Sequence, residues 1–230
     1  MTPSSWSGSS NGRNNVASRC RLPRLYPILD AGLLIRAGLS MEGFARELRQ
    51  AGIRFLQYRD KEATDEIVLE RAALLRSIFP DSCLILNDRV SLVAAARYDG
   101  IHVGQEDLPP AQTRATLGRD VLIGVSTHGE VQLRTAADGP ADYVAIGPVF
   151  ATASKQDPDP VVGLDGVRAA RAMTAKPLVA IGGITRSNCA AVIQAGADSV
   201  AVISDLIPHS GNSTAKLVEE FFAVLNVLTP

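Results

Sequence analysis

One pattern constrains this chain more than any other. From Leu25 onward, short runs rich in Ile, Val and Leu alternate eight times with segments of helical period. The runs are LYPIL (25–29), IRFLQ (53–57), CLIL (83–86), GIHV (100–103), VLIGV (121–125), YVAI (143–146), PLVAI (177–181) and SVAVI (199–203). Runs this short and this apolar fit parallel strands buried on both faces. Helices are expected at about 40–51, 65–79, 90–97, 110–117, 129–137, 164–173, 187–195 and 214–228. Ser40 and Thr64 or Asp65 can cap the first two, and Pro109-Pro110 opens the fourth, where a missing N–H costs nothing. AGIRFL, YDGIHV, PADYVAI and AGADSVAV look alike because each is a helix exit running into a buried strand.

Eight such units predict an α/β protein, a (β/α)8 TIM barrel, as a single domain over 22–230. The chain of 230 residues is long enough for it. An open doubly wound sheet is the alternative, but no G-x-G-x-x-G follows the first strand. Residues 1–21 are rich in Ser, Gly and Asn with little to bury, and predict a disordered extension. This extension has arginines and no acid, as organelle transit peptides do, but lacks their apolar face and any secretory h-region.

The net charge of −1 offers no basic field for nucleic acid or an anionic membrane, and no apolar stretch reaches bilayer length. Cys20, Cys83 and Cys189 are scattered and odd in number, which indicates neither a disulfide framework nor a zinc site and suits a reducing cytoplasm. A homo-oligomer stays open.

In a (β/α)8 barrel the active site lies at the C-terminal ends of the strands. There the sequence places QYRDK, NDR, GQED, STH, GPVFATASK, GGI and SD, from the second strand to the eighth. Asp88 and Asp107, on neighbouring strand ends, suit a hard cation such as Mg2+; helix capping is the alternative for both, and pairing with Arg89 for Asp88. Arg59 and Lys61 alternate along an extended segment and so share a side, as polyphosphate ligands would, unless they merely pair with Asp60 and Glu62. The Gly182-Gly183 pair and Ser204 suggest a backbone phosphate site, or only a tight turn. Thr152, Ser154 and Lys155 sit in the longest loop, 147–163, which can close over a substrate or be plain surface. His102 and His209 read as structural, and His128 is undecided.

QYRDK, NDR, DGIHVGQEDL, IGVSTH, GPVFATASK, AIGGI and VAVIS, in that order over about 25–226, resemble the thiamine-phosphate synthase family. The resemblance implies a TIM-barrel transferase that joins 4-amino-2-methyl-5-hydroxymethylpyrimidine diphosphate to a thiazole phosphate, with Mg2+ as cofactor and diphosphate as leaving group. It implies Asp88 and Asp107 as metal ligands, and Arg59, Lys61, Asn87 and Lys155 at the diphosphate. Gln57 and Ser126 would lie near the pyrimidine, and Thr152, Ser154, Gly183 and Ser204 at the thiazole phosphate. Arg59, Lys61, Ser126 and Lys155 are the expected catalytic group. Two positions depart from the family pattern: its T-x-T-K reads Thr-Ala-Ser-Lys, and Asp205 follows Ser204 beside an expected anion. A thiazole tautomerase and a non-catalytic thiazole-phosphate binder are the rival readings.

Overall fold

The computed structural model describes residues 20–152, 159–209 and 211–227. Its strands are β1 (Leu25–Asp30), β2 (Phe55–Arg59), β3 (Cys83–Asn87), β4 (Gly100–Val103), β5 (Leu122–Thr127), β6 (Tyr143–Ile146), β7 (Leu178–Ile181) and β8 (Ser199–Val202). They pair in parallel, in chain order, and close into a barrel, with Leu25 of β1 against Val200 of β8. The predicted (β/α)8 barrel is the fold. Around it run α1 (Ala31–Arg36), α2 (Met41–Gln50), α3 (Asp65–Ile78), α4 (Val93–Ala96), α5 (Pro110–Leu117), α6 (Glu130–Asp138), α7 (Gly163–Met173), α8 (Cys189–Gln194) and α9 (Thr214–Asn226).

Local chemistry sets these boundaries. Ser40 caps α2 by accepting from Gly43 N at 3.2 Å, and Ser213 caps α9 through Lys216 N at 3.2 Å. Phe44, Ala45 and Leu48 form the buried stripe of α2, against which α9 packs with Leu217, Val218, Phe221 and Leu225. The segment expected as a helix at 90–97 splits into a 3-10 turn, Val90–Leu92, and the short α4, which Arg97 ends in the left-handed conformation. The sequence reading passes over α1, a six-residue helix containing a glycine.

β2 begins two residues later than its apolar pattern suggests, a shift that leaves the alternation of its side chains in phase. Alternation sends Leu56 and Tyr58 outward into the layer beneath the helices and Phe55 inward, so Gln57 and Arg59 share the inward side. The inner core is a small set from every second position: Tyr26, Ile28, Phe55, Ile85, Tyr143, Ala145, Val179 and Ala201. Gly124 of β5 leaves room for the Tyr143 ring, since a Cβ there would lie 2.0 Å from it.

The expected disordered extension falls mostly on residues 1–19, outside the described residues. Cys20 corrects its boundary: it is buried and disulfide-bonded to Cys83 at the start of β3. The expectation of no disulfide is thereby overturned, because the chain entering β1 passes beneath the barrel and brings together residues 63 apart in sequence. Spacing rules detect near-neighbour pairs only. Among the described residues no helix is long and apolar enough to cross a membrane.

Candidate active site

The polar residues expected on the strand C-termini are found there. β3 ends in Asn87, and Asp88 follows with φ 62°, a left-handed turn that Asp and Asn tolerate better than most residues. Its N–H donates to His102 O at 2.9 Å, which carries the β3–β4 pairing one residue further. Asp107 lies in the loop after β4, where its Oδ2 accepts from Gly104 N at 2.7 Å. It therefore folds its own loop rather than capping α5, whose N-cap is Pro109.

The Asp88 and Asp107 side chains are near enough to act on each other's charge. Burial first, then the neighbouring Asp107 carboxyl, pushes the Asp88 pKa up to about 6, against the pull of Lys61 and Arg59. Arg89 does not relieve the pair: it is bound to Asp65 and to Ala63 O, the latter at 2.6 Å. Lys61 Nζ is the near cation, 3.5 Å from Asp88 Oδ2, and is more than half exposed. Two facing carboxylates with only oxygen donors are a set that a hard divalent cation would relieve, so these residues fit Mg2+.

The basic segment resolves differently from a solvated loop. Asp60 is taken by Arg71 at 2.5 Å and by the Tyr58 hydroxyl at 3.0 Å, so it does not occupy Arg59 or Lys61. Arg59 pairs instead with Asp30, which also caps α1 through Leu33 N at 2.8 Å. Asp30 is a site residue that sequence reasoning missed. Its only local signal is an acid directly after the first apolar run.

Beneath this rim Gln57, almost wholly buried, donates from Nε2 to Tyr26 OH at 2.8 Å. Ser126 of β5 stands 2.8 Å from His102 Nε2, and its backbone O accepts from Gln105 Nε2 at 2.6 Å. Burial lowers the His102 pKa to about 4, outweighing the Asp107 charge, so its imidazole is neutral at neutral pH. His128, undecided from sequence, ties β5 to the next loop through Nδ1 to Gly147 O at 2.6 Å.

On the opposite side, Gly182 (φ 96°) and Gly183 (φ 63°) follow β7. A Cβ at Gly183 would lie 2.5 Å from Ala151 O, so the turn and the adjoining loop need glycine there. Ser204 begins a 3-10 turn after β8 and is exposed. The acid beside it is compensated: Asp205 Oδ2 accepts from Arg186 N at 2.8 Å and Nε at 2.9 Å. Thr152 is described and partly buried, whereas Ser154, Lys155 and part of the expected closing loop lie outside the described residues.

Fold and site together define the class: a (β/α)8-barrel enzyme whose unbalanced charges gather on the C-terminal rim. The model of the thiamine monophosphate synthase family matches residues 25–206. A thiamine-phosphate synthase of Koribacter versatilis is 51% identical over 195 residues, 84% of this chain and 92% of that protein. That of Chloroflexus aurantiacus is 41% identical over 186 residues, 80% of this chain and 85% of its own length. Among solved structures, thiamine phosphate pyrophosphorylase from Pyrococcus furiosus superimposes with a TM-score of 0.78 at 30% identity, covering 90% of this chain and 97% of that one. The chain belongs to the thiamine-phosphate synthase family, and is a transferase of thiamine biosynthesis.

Proposed function

We propose that the protein condenses 4-amino-2-methyl-5-hydroxymethylpyrimidine diphosphate with a thiazole phosphate, giving thiamine phosphate and diphosphate. The C–O bond at the pyrimidine methylene breaks, and the diphosphate leaves with the electron pair. The resulting methylene cation is stabilised by the ring's amino group. The thiazole nitrogen then forms the new C–N bond and keeps the positive charge. No side-chain nucleophile is required. Rate enhancement comes from binding the leaving group and from aligning the two rings.

The observation that carries this reading is the Asp88–Asp107 pair facing Lys61 and one strand away from Arg59. Asp88 and Asp107 would hold Mg2+, which would supply charge neutralisation at the leaving diphosphate. Arg59, released from Asp30, and Lys61, released from Asp88, would bind diphosphate oxygens, with Asn87 and Lys155 completing the set. Gln57 and Ser126 would meet the pyrimidine. Gly183 and Ser204, on adjoining strand ends, would hold the thiazole phosphate with Thr152 and Ser154, and Arg186 keeps Asp205 from opposing it. Charged phosphorylated substrates are retained where they are made, which supports the cytoplasm as the proposed compartment, although the Cys20–Cys83 disulfide does not add to that reading.

A steady-state assay with both substrates and Mg2+ tests the proposal. Formation of thiamine phosphate, lost on chelation and restored by Mg2+, is expected. Isomerisation of a thiazole phosphate without condensation would replace it with the tautomerase reading.

A further inference from the structure

Inside the barrel, below the charged rim, five side chains from five strands form one hydrogen-bonded chain. Gln57 Nε2 donates to Tyr26 OH at 2.8 Å, and Tyr26 OH lies 3.0 Å from Tyr143 OH. Tyr143 OH lies 2.9 Å from His102 Nδ1, and His102 Nε2 lies 2.8 Å from Ser126 Oγ. Gln57, Tyr26, Tyr143 and His102 are all buried. The two ends, Gln57 and Ser126, are the residues assigned above to the pyrimidine; the three between have no part in the reaction as written.

Counting protons gives the chain a direction. Tyr26 receives a hydrogen bond from Gln57 and must place its own proton, for which Tyr143 is the available acceptor. Tyr143, already an acceptor, donates to His102 Nδ1. His102 then carries its proton on Nε2 and donates to Ser126 Oγ, which leaves the serine hydroxyl proton free for a ligand. An imidazolium would donate from both nitrogens and leave one phenolic proton without an acceptor. Burial also keeps both phenols protonated. At the other end, with its nitrogen committed to Tyr26, the Gln57 carboxamide offers its oxygen.

We propose that Tyr26, Tyr143 and His102 are positioning residues forming a directed relay, which sets Gln57 as an acceptor and Ser126 as a donor toward an aminopyrimidine. An amine that donates and a ring nitrogen that accepts match that pair. Reversing the relay would present the opposite pattern and repel both groups. The inference rests on the proposed pyrimidine diphosphate substrate for its purpose, but the direction of the relay is a property of the unliganded protein.

The test therefore begins without substrate. Long-range 15N–1H correlation spectra of the 15N-labelled protein at neutral pH, with His102 assigned by its loss in His102→Gln, should show its proton on Nε2. A proton on Nδ1, or an even mixture, would overturn the relay whatever the enzyme does. Tyr143→Phe removes the central link; Tyr26→Phe serves if that variant does not fold. In either, KM for the pyrimidine diphosphate should rise about tenfold, the loss expected for one neutral hydrogen bond, while KM for the thiazole phosphate stays within twofold. Equal movement of both KM values, or of neither, would reduce the chain to packing. An Nε2 proton in a protein without condensation activity would preserve the relay and remove the proposed reaction.

Discussion

Three aspartates at the N-terminal end of this barrel and the Asp88–Asp107 pair at the C-terminal end are used in opposite ways. At the N-terminal end, Asp99, Asp142 and Asp198 stand just before β4, β6 and β8. Each accepts from the first or second amide of the preceding strand: Leu84 at 3.0 Å, Ile123 at 2.7 Å and Leu178 at 2.7 Å. Each also receives an arginine from the helix that leads into that preceding strand, Arg76, Arg114 or Arg171, at 2.6–2.8 Å. A strand start, a helix end and the next strand are thus tied by one carboxylate, three times around the barrel. At the C-terminal end, Asp88 and Asp107 face each other, with a half-exposed lysine at 3.5 Å. Asp30 and Asp205 at that rim have arginines too, but for the Asp88–Asp107 pair the balance is left to what binds. Substituting acids at the two rims should therefore separate activity from stability.

The largest separation is expected at the C-terminal rim. Asp88→Ala should lower thiamine phosphate formation by at least about 100-fold, the scale of losing a group that holds charge at a leaving diphosphate. Its melting temperature should stay near that of the wild type, because relief of the like-charge contact is offset by an alanine that tolerates the left-handed backbone less well than aspartate. Turnover near that of the wild type would remove Asp88 from the site. A collapsed melting temperature would place it with the structural acids.

Asp99→Ala should show the inverse. Asp99 is the most buried of the three structural acids, and its loss leaves the Arg76 charge with backbone carbonyls but no carboxylate, and removes the side-chain acceptor of the Leu84 amide. A cost of about 2–4 kcal/mol is expected, or a melting temperature lower by roughly 4–16 °C for a chain of this size. Turnover at a temperature where the variant is folded should match the wild type. If kcat fell with the melting temperature held, the two rims would not be separable in this way.

These acids also show how far the sequence could be read. The eight strands and the loops bearing Asp88, Asp107, Arg59 and Gln57 were legible, because alternation of period 2 and 3.6 is local and strand order in this barrel follows chain order. The repeated phrases YDG, PADY and AGAD were visible too, but only as helix exits. That their aspartates clamp a helix arginine to a strand amide depends on three elements meeting. Asp30, the partner of Arg59, and Cys20, the partner of Cys83, were missed for the same reason: each pairs with a residue on another strand. His102 was legible as a structural residue of its strand, but Tyr26 and Tyr143 were not, since nothing in a single strand shows that phenols and an imidazole from β1, β4 and β6 meet on the axis. The helix-capping reading of Asp107 fails on one hydrogen bond, to Gly104 N, that helix start signals do not describe.

The unbalanced rim has a pH signature, measured without divalent cation. Asp88 titrates near 6 when folded and near 3.8 otherwise, so the folded protein holds its proton more tightly. Stability then falls as pH rises from about 4 to about 6, and the penalty stays in full above that. Asp88→Asn has no such penalty. Its advantage over the wild type should be near zero at pH 4 and grow to on the order of 1–2 kcal/mol by pH 7. Melting both proteins across that range in EDTA checks it. A constant difference would mean that neither burial nor Asp107 raises the Asp88 pKa.

The smallest effect tests whether the three structural clamps are equivalent. Asp198 makes the same two contacts as Asp99, to Leu178 N and Arg171, but its side chain is 52% exposed against 8%. Water can replace much of what it supplies, and its ion pair is screened, so Asp198→Ala should cost only about 1 kcal/mol. Denaturant unfolding of Asp198→Ala beside Asp99→Ala measures the ratio directly. Equal losses would show that the amide contact, shared by both, carries the clamp. A smaller loss at Asp198 would show that burial of the arginine pair sets its strength, and that the three repeats share a geometry without sharing an energy.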